Sequence, residues 1–346
     1  MSLPTTAARE TAPEPVEVGP LLLLGGTTAS GKSALALALA ERLRGVVVNA
    51  DSQQLFADLP ILTARPKAEE EARVPHRLYG LFGPREQPSV GRWLGLVLPV
   101  LAELAREERP AILVGGTGLY LHALLHGLSP VPEVPPEVRA RLLAETRDVP
   151  TGELHARLRR VDPATAAKLR PSDRQRILRA LEVLEATGRP LVFWQAEPRR
   201  PPVRPRLFLG VALLPPSELT GPRIARRLEA QLACGALEEV AALAHREPEL
   251  REAARAGRTD HFPILKVHGC RELLAVLDGR LAPSEAEAEI ARQVRAYAKR
   301  QRTWFRHQLA ELEALPVTGD DPDLAEALAR RFDELRPWVP PAQRSA

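Results

Sequence analysis

The stretch LLLLGGTTASGKS, residues 21–33, constrains the fold of this chain more than any other segment. Its leucines predict a short strand buried on both faces, and SGKSALALALAERL at 30–43 predicts the helix after it. The turn between them fits G-x-x-x-x-G-K-[ST], in which backbone amides converge on phosphate oxygens at a helix N-terminus. A glycine-rich turn without a ligand is the less favoured alternative, because strand, motif and helix occur together. The motif residues are Gly26, Gly31, Lys32 and Ser33.

Three further apolar segments predict additional strands: VVVNA at 46–50, AILVGGT at 111–117 and RLFLGVALL at 206–214. Helical patterns separate them, and one helix is expected from about residue 92 to 107, with Ser89 as its N-cap. Strands that alternate with helices indicate a parallel sheet. We therefore expect an α/β fold with a P-loop NTPase-like, doubly wound parallel sheet as its core.

The interval between about residues 130 and 200 has a different pattern. It opens in the proline-rich SPVPEVPPEVRARLL, continues in helical periodicity through RQRILRALEVLEATG, and closes at Gly188 and Pro190. No strand pattern interrupts it, so we expect an all-helical insertion domain. The predicted organisation is a disordered leader at 1–19, a P-loop-like core at 20–130 and 201–330, the insertion at 131–200 and a tail at 331–346.

The composition, with 45% hydrophobic and 27% charged residues, is ordinary for a globular protein. No apolar run approaches the ~18 residues that cross a bilayer, and the N-terminus lacks a signal-peptide pattern. Cys234 and Cys270 are too few for a zinc site or a disulfide framework. We expect a cytoplasmic monomer without a membrane partner. The net charge of +4 permits a polyanionic partner without requiring one.

The position of the acid nearest to the phosphate loop distinguishes this chain from an ordinary ATPase. An ATPase carries a second strand that ends in a metal-holding acid, whereas AILVGGTGLY runs into Gly-Gly-Thr. The acid at a strand end near the loop is Asp51, in ADSQQ. It could support Mg²⁺, act on a substrate as hydrogen-bond acceptor and base, or be a solvated loop residue. The residues alone leave these alternatives open.

The phosphate loop and DSQQ are followed by six further segments in a distinctive order. These are TARP (63–66), VPHRL (74–78), LVGGTGLYLHALLHGL (113–128), DRQRILRALEVLEATGRP (173–190), RIARRLEAQLACGALEEV (223–240) and RAYAKRQRTWFRH (295–307). Together they resemble the bacterial tRNA dimethylallyltransferase family over roughly residues 20–310. That family transfers the five-carbon chain of dimethylallyl diphosphate to the N6 amine of the adenosine at tRNA position 37, next to the anticodon.

The resemblance implies that the loop holds an isoprenoid diphosphate with Mg²⁺, and not a nucleoside triphosphate. Asp51 corresponds to the catalytic aspartate of the family; a carboxylate there would accept the amine proton as the N–C bond forms. Thr28 matches a threonine of the family near the reaction centre, and Arg223 matches an arginine that binds the diphosphate. The implied diphosphate ligands are Gly26, Thr27, Thr28, Ala29, Ser30, Gly31, Lys32, Ser33 and Arg223, and Ser33 is also the implied Mg²⁺ ligand.

The implied partner is the tRNA anticodon stem-loop, from which the reacting base must be extruded into a pocket. Gln amides can form paired hydrogen bonds with adenine, whereas a helix-capping loop is the alternative for 52–54. The tRNA contacts implied by the resemblance are Asp51, Ser52, Gln53, Gln54, Thr117, Arg139, Gln175, Arg176, Ile177, Leu178, Arg179, Lys266, Gly269 and Arg271.

A basic helix near the C-terminus is informative without the resemblance. Its cations recur at steps of three and four and therefore share one helical face. Such a face is either solvated or in contact with phosphates. The insertion carries a second basic segment, RQRILR, and the two segments together favour contact with RNA phosphates. We expect this contact through Arg295, Lys299 and Arg302. The cations of this face are Arg292, Arg295, Lys299, Arg302 and Arg306.

Four residues depart from the family pattern. Thr27 stands where the family usually has a proline after the first glycine of the phosphate loop, a change that the loop pattern allows. Leu62 stands where a glycine commonly precedes TA(K/R)P, and His268 and Cys270 replace an apolar and an aromatic residue around Gly269. Two other functions stay open. One is a small-molecule enzyme, either a P-loop kinase or a prenyltransferase of free adenine nucleotides. The other is a nucleotide-dependent switch that binds RNA without modifying it.

Overall fold

Six parallel strands form the centre of the computed structural model, which describes residues 14–335. In chain order they are β1 Val16–Gly26, β2 Val46–Asn49, β3 His76–Arg77, β4 Ala111–Val114, β5 Val203–Leu213 and β6 Glu313–Leu315. Their spatial order is β3-β2-β4-β1-β5-β6, and every neighbouring pair is parallel. The carboxyl ends of β1, β2 and β4 therefore meet at one edge of the sheet, where ligands bind in folds of this type.

The described residues divide into two units, one made of 14–125 with 202–335 and the other of 126–201. The helices before the second unit are α1 Lys32–Leu43, α2 Pro60–Thr63, α3 Ala68–Arg73, α4 Val90–Arg106 and α5 Gly118–His126, which reaches the boundary. The second unit contains α6 Pro136–Thr146, α7 Thr151–Val161, α8 Pro163–Ala166, α9 Arg174–Thr187 and α10 Leu191–Ala196. Then follow α11 Ser217–Ala233, α12 Ala236–Arg246, α13 Leu250–Arg255, a 3₁₀ turn at Pro263–Lys266, α14 Cys270–Leu277, α15 Pro283–Gln308 and α16 Pro322–Asp333.

The leucines at 21–24 explain why helices cover both faces of the sheet. Leu21 and Leu23 pack in one hydrophobic cluster, which includes α4, whereas Leu22 and Leu24 pack in another, which includes α1 and α16. Successive side chains of a strand point to opposite faces, so an unbroken apolar strand is stable only when both faces are buried. The predicted doubly wound parallel sheet is confirmed.

Local signals also place the helix α4. Ser89 is its N-cap, and the Ser89 hydroxyl accepts a hydrogen bond from the backbone N–H of Arg92 at 3.2 Å. This satisfies one of the amides that a helix start leaves without a partner. The N-cap predicted at Ser89 is confirmed, and the helix begins at Val90, two residues before the expected start.

Two expectations about the chain ends need correction. Strand β1 begins at Val16, because residues 16–18 pair with Val203–Pro205 of β5, so residues 16–19 belong to the sheet and not to a leader. Helix α16 continues to Asp333, past the predicted end of the core at 330. The rest of the predicted leader, residues 1–13, and of the predicted tail, residues 336–346, lies outside the described residues.

The second unit has its own hydrophobic core. Leu154 and Leu158 of α7 pack against Ile177 and Leu181 of α9. No strand is present between residues 126 and 201, all of which the structure describes. Across residues 14–335, no helix is both long and apolar enough to span a bilayer.

Candidate active site

The glycine-rich loop connects β1 to α1 and is closely packed on its surroundings. At Gly26, φ is +139°, and a Cβ would lie 2.4 Å from the carbonyl oxygen of Leu213. At Gly31, φ is +87°, and a Cβ would lie 2.7 Å from the backbone nitrogen of Gly319. These two positions therefore require glycine. Ala29 also has a left-handed φ, +58°, and alternation of this kind makes backbone amides converge on an anion.

Lys32 begins α1 and folds back over the loop. Its ammonium donates a hydrogen bond to the Thr27 carbonyl at 2.5 Å. Burial lowers the pKa of Lys32 from 10.5 to about 8, while the Asp51 carboxylate opposes this shift. A lysine in this setting gains a strong partner when an anion binds beside it, because the anion replaces part of its lost hydration.

Asp51 follows β2 and is held by a network centred on the buried Asn49. The Asn49 side chain accepts from the Asp51 N–H at 2.8 Å and donates to the Asp51 carbonyl at 3.1 Å. Oδ1 of Asp51 accepts from the Gln53 N–H at 2.9 Å. Asp51 also lines a cavity together with Lys32 and Thr28. The network fixes the backbone and one carboxylate oxygen and leaves the other oxygen to face a ligand.

That cavity, of about 90 Å³, is the centre of the site. It adjoins a second cavity of about 760 Å³, and the two share Lys32 and Ser33 of the loop with Arg227 and Gln231 of α11. The larger cavity is mainly apolar, with cationic side chains on its wall. An anionic head group bearing a short apolar chain fits this combination. The cations that line it include Arg65, Lys67, Arg223, Arg226 and Arg227.

Arg223 of α11 contacts the phosphate loop directly. Its Nε donates to the Ala29 carbonyl at 2.8 Å, and its two terminal nitrogens bind the Asp320 carboxylate, each at 2.9 Å. Arg227, one helical turn further, is half-buried, and burial lowers the pKa of its guanidinium while Asp51 opposes the shift. Both cations lie where a negatively charged ligand of the loop would neutralise them.

The residues after Asp51 are joined to other loops of the site. The Ser52 N–H donates to the Thr117 hydroxyl at 2.9 Å, and the Gln53 carbonyl oxygen Oε1 accepts from the His268 N–H at 3.2 Å. The Gln54 amide donates to the Ala64 carbonyl at 2.7 Å, at the end of α2. Ser52, Gln53 and Thr117 thus lie near Asp51, whereas the side chain of Gln54 holds the backbone at the end of α2.

The basic helix and the segment 266–271 present exposed cations. Lys266, Arg271, Arg295 and Lys299 are exposed. The first two also line a surface cleft of about 370 Å³, together with Arg292, Arg300 and His268. Gly269 is buried and has a φ of +93° as the N-cap of α14. It shapes the turn that presents its neighbours and offers no side chain of its own.

Arg302 also makes contacts within the protein. Its guanidinium donates to the carbonyls of Pro215 at 2.5 Å and Leu214 at 3.4 Å, just after β5. It therefore anchors α15 to the residues that follow β5, and its predicted contact with RNA phosphates stays a prediction. The periodicity of the basic residues places Arg302 on the same helical face as Arg295 and Lys299. It does not reveal the hydrogen bonds that Arg302 makes to backbone carbonyls.

In the second unit, the predicted RNA contacts divide by burial. Arg139, Gln175, Arg176 and Arg179 are exposed. Ile177 and Leu178 are buried in the core of the unit, so their side chains cannot contact RNA, and this part of the prediction is wrong. When a continuous segment of a helix is predicted to contact RNA, it includes residues that face the protein core, because only every third or fourth position lies on the same face. The two exposed arginines Arg139 and Arg179 form ion pairs with the buried Glu182. Oε1 of Glu182 lies 3.7 Å from Nε of Arg139, and its Oε2 lies 3.5 Å from a terminal nitrogen of Arg179.

Three of the residues that depart from the family pattern, Leu62, His268 and Cys270, lie together near the cavity. A Cβ at Gly269 would be 3.1 Å from Cδ1 of Leu62, so Leu62 fills the space above this glycine. Cys270 is buried, and burial raises the pKa of its thiol to about 12. His268 lines the cavity, and its ring centroid lies 4.9 Å from that of Tyr297. Burial lowers the pKa of His268, which favours a neutral imidazole.

The site offers Mg²⁺ few protein ligands. Among residues 14–335, no cluster of three or more His, Cys, Asp or Glu side chains is arranged to hold a metal. The exposed Ser33 hydroxyl and the Asp51 carboxylate line the same cavity. Mg²⁺ keeps several waters and is usually bound through one or two protein oxygens plus substrate phosphates. This donor set therefore fits Mg²⁺ that arrives with a diphosphate, and does not fit a closed protein cage.

Several residues of the site carried no assigned role in the sequence analysis. Tyr297 and Gln301 lie on the inner side of α15; Tyr297 lines the cavity, and Gln301 bonds to the phosphate loop. Their spacing of four residues predicts a shared buried face but not its target. Asp320 lies in a loop after β6, and no sequence signal connects it with Arg223. Arg227 could be found from its position one turn after Arg223.

A parallel sheet whose central strand runs into a phosphate loop, with an acid and several cations around one cavity, defines a P-loop-type phosphate-binding α/β protein. Residues 54–308 match the family described as IPP transferase. The chain belongs to the IPP transferase family, and the predicted family is confirmed.

Individual relatives agree with this membership. The chain is 49% identical over 301 residues to a tRNA dimethylallyltransferase of Azorhizobium caulinodans, covering 87% of this chain and 93% of the relative. It is similar to the crystal structure of a tRNA isopentenylpyrophosphate transferase from Bacillus halodurans, with a TM-score of 0.62, 30% identity and coverage of 91% and 97%. A eukaryotic dimethylallyltransferase solved acting on tRNA has a TM-score of 0.73 at 24% identity, covering 91% of this chain and 77% of its own. This last likeness concerns the fold alone.

Proposed function

We propose that this chain transfers the dimethylallyl group of dimethylallyl diphosphate to the N6 amine of adenosine 37 of tRNA, next to the anticodon, and releases diphosphate. Family membership gives the class of reaction, prenyl transfer to tRNA. The observation that supports the finer statement is the cavity lined by Thr28 and Lys32 of the phosphate loop and by Asp51. One cavity thus provides for a leaving diphosphate and for a proton acceptor.

Asp51 is the proton acceptor in this proposal. The adenine amine is a weak nucleophile, because its lone pair is delocalised into the ring. A carboxylate that accepts a hydrogen bond from the N6–H localises this electron pair. As the N6–C1 bond forms, the C1–O bond to the diphosphate breaks, and the proton passes to Asp51. General-base assistance of this kind contributes roughly 10²–10⁴-fold.

The leaving diphosphate gains negative charge as its C1–O bond breaks. The groups of this chain that stabilise this charge are the loop amides, Lys32, Arg223 and the half-buried Arg227. Ser33 would hold Mg²⁺, with Asp51 close by on the same wall. When bound, the ion neutralises charge on the diphosphate oxygens. Thr28 completes the wall between the two substrates.

Positive charge supports an RNA partner on both units. Arg295 and Lys299 are exposed on α15, and Arg292 and Arg300 of the same helix line a surface cleft together with Lys266 and Arg271. Residues 126–201 contain 14 Lys and Arg against 10 Asp and Glu, an excess of four that equals the excess of the whole chain, 48 against 44. In this unit Arg139, Arg176 and Arg179 are exposed. Contacts of this kind bind phosphates without reading the sequence.

We also propose that the protein is a cytoplasmic monomer. Both cysteines are free thiols, Cys234 exposed and Cys270 buried, as suits a reducing compartment. Multi-angle light scattering of the purified chain measures the oligomeric state, and a dimeric mass would overturn this part of the proposal.

Nucleoside mass spectrometry tests the proposed reaction. Purified protein is incubated with an unmodified tRNA transcript, Mg²⁺ and dimethylallyl diphosphate, and the digested RNA is searched for N6-dimethylallyladenosine. A matched transcript with guanosine at position 37 is expected to stay unmodified. Product with AMP alone would instead establish a nucleotide prenyltransferase. ATP or GTP hydrolysis without any prenylated product would support the RNA-binding switch.

A further inference from the structure

Gln301 is a buried polar side chain on the inner side of the basic helix α15; only 4% of it is exposed. Its amide oxygen accepts a hydrogen bond from the Thr28 backbone N–H at 2.7 Å. Its amide nitrogen donates to the Gly116 carbonyl at 2.9 Å. One side chain thus uses both ends of its amide to join the phosphate loop after β1 with the loop after β4.

Both of these loops belong to the site. Thr28 lines the central cavity, and Gly116 precedes Thr117, whose hydroxyl accepts from the Ser52 N–H beside Asp51. The Gln301 amide is therefore a direct connection between the wall that holds the diphosphate and the wall that holds the base. Tyr297, one turn earlier on α15, adds to it, because its hydroxyl interacts with the side chains of Thr117 and Gln301.

The Gln301 amide packs closely against the backbone at Gly116. A Cβ at Gly116 would lie 2.2 Å from the Gln301 amide nitrogen and 3.5 Å from Oδ2 of Asp51. Glycine at this position lets the amide approach the carbonyl and keeps it next to the reacting carboxylate. Without the amide, a partly buried N–H at Thr28 and a buried carbonyl at Gly116 would lose their partners, and we expect the two loops to shift relative to each other.

We propose that Gln301 is a positioning residue that sets the distance between the diphosphate loop and Asp51 by tying Thr28 to Gly116. The inference rests on the proposed function, since the distance matters only if a group passes from one wall to the other. A displacement by about 1 Å can lower a rate about 10²-fold. Helix α15 then has two roles. Its exposed face carries the cations proposed to contact RNA, and its buried face carries Gln301, which joins the two loops.

Three variants of α15 test the tie. Gln301→Leu keeps the volume but removes both hydrogen bonds, and we expect kcat to fall about 10- to 100-fold, with KM for tRNA changed by less than about threefold. Gln308→Ala removes an exposed glutamine at the end of the same helix and is expected to match the unchanged protein. Circular dichroism and melting curves establish that each variant is folded at the assay temperature.

Gln301→Glu separates positioning from a merely structural role. The introduced carboxyl is buried and close to Asp51, and both effects raise its pKa. When ionised, it accepts from Thr28 but repels the Gly116 carbonyl; when protonated, it donates and accepts as the amide does. We expect kcat relative to the unchanged protein to rise at least fivefold from pH 8 to pH 6. A ratio that stays constant over this range would overturn the inference.

Amide hydrogen exchange tests the tie without any turnover. The Thr28 N–H has its acceptor in Gln301, so exchange of a peptide containing Thr28 is expected to accelerate at least tenfold in Gln301→Leu and not in Gln308→Ala. If the unchanged protein fails to prenylate tRNA, the proposed function fails, and the exchange result still decides the tie. Unchanged protection in Gln301→Leu, or a kcat near that of the unchanged protein, would end the inference.

Discussion

The lowered pKa of Lys32 gives a quantitative prediction about diphosphate binding. Burial brings this pKa from 10.5 to about 8 in the free protein. The protonated fraction is then about 0.9 at pH 7, 0.5 at pH 8 and 0.1 at pH 9. If the cationic form binds the diphosphate, the apparent Kd is the intrinsic Kd divided by this fraction. We expect the apparent Kd to rise about tenfold between pH 7 and pH 9, from about 1.1 to about 11 times the intrinsic value, and to be about twice the intrinsic value at pH 8.

Isothermal titration with dimethylallyl diphosphate and Mg²⁺ measures this dependence. Without tRNA no transfer occurs, so the heat reports binding alone. Lys32→Arg is the matched control, because a guanidinium stays protonated throughout this range and its Kd should vary little with pH. A flat profile for the unchanged protein would refute the reasoning. So would the same tenfold change in Lys32→Arg, because another group would then have to titrate.

Three shorter predictions concern other parts of the site. Asp51→Asn keeps an oxygen for the Gln53 N–H but cannot take a proton; kcat should fall about 10²-fold or more with the Kd for dimethylallyl diphosphate within about tenfold, and near-normal turnover would remove Asp51 from the mechanism. Gly116→Ala forces a Cβ within 2.2 Å of the Gln301 amide and should lower the free energy of unfolding by about 1–3 kcal/mol in denaturant titrations. Gly91→Ala, with no atom within 4 Å of its Cβ, should not lower it; equal losses would contradict the packing argument. Arg295→Ala with Lys299→Ala should weaken tRNA binding and reduce the slope of log K against log salt by about 1 to 2; an unchanged slope would make this face merely solvated.

Sequence patterns predicted the parts of the fold that depend on local chemistry. The apolar run at 21–24 indicated a doubly covered strand, and both faces are buried. Ser89 predicted a helix start through its hydroxyl, and the cap is present. The motif at 26–33 indicated a strand–loop–helix unit, because its glycines require backbone angles that other residues rarely adopt. Each of these signals lies within a few residues of the structure it determines.

Sequence patterns did not predict the shortest strands or the groups that individual side chains contact. Strands β3 and β6 have two and three residues, too few for an alternating pattern to appear. The basic periodicity of α15 was correct as a helix face, yet Arg302 turns to two backbone carbonyls. On α9, the segment 175–179 mixes exposed and buried residues, and only the packing of the second unit shows which side chains can reach RNA.

What the sequence alone determined here is the phosphate loop, the parallel sheet around it and the acid at the end of β2. These follow from residue types and short spacings, which act on the backbone next to them. Tertiary structure decided which distant groups complete the site: Gln301 meets Thr28 across 273 positions, and Asp320 meets Arg223 across 97. The physical reason is that the order of strands in the sheet, and not distance along the chain, brings buried hydrogen-bond partners together.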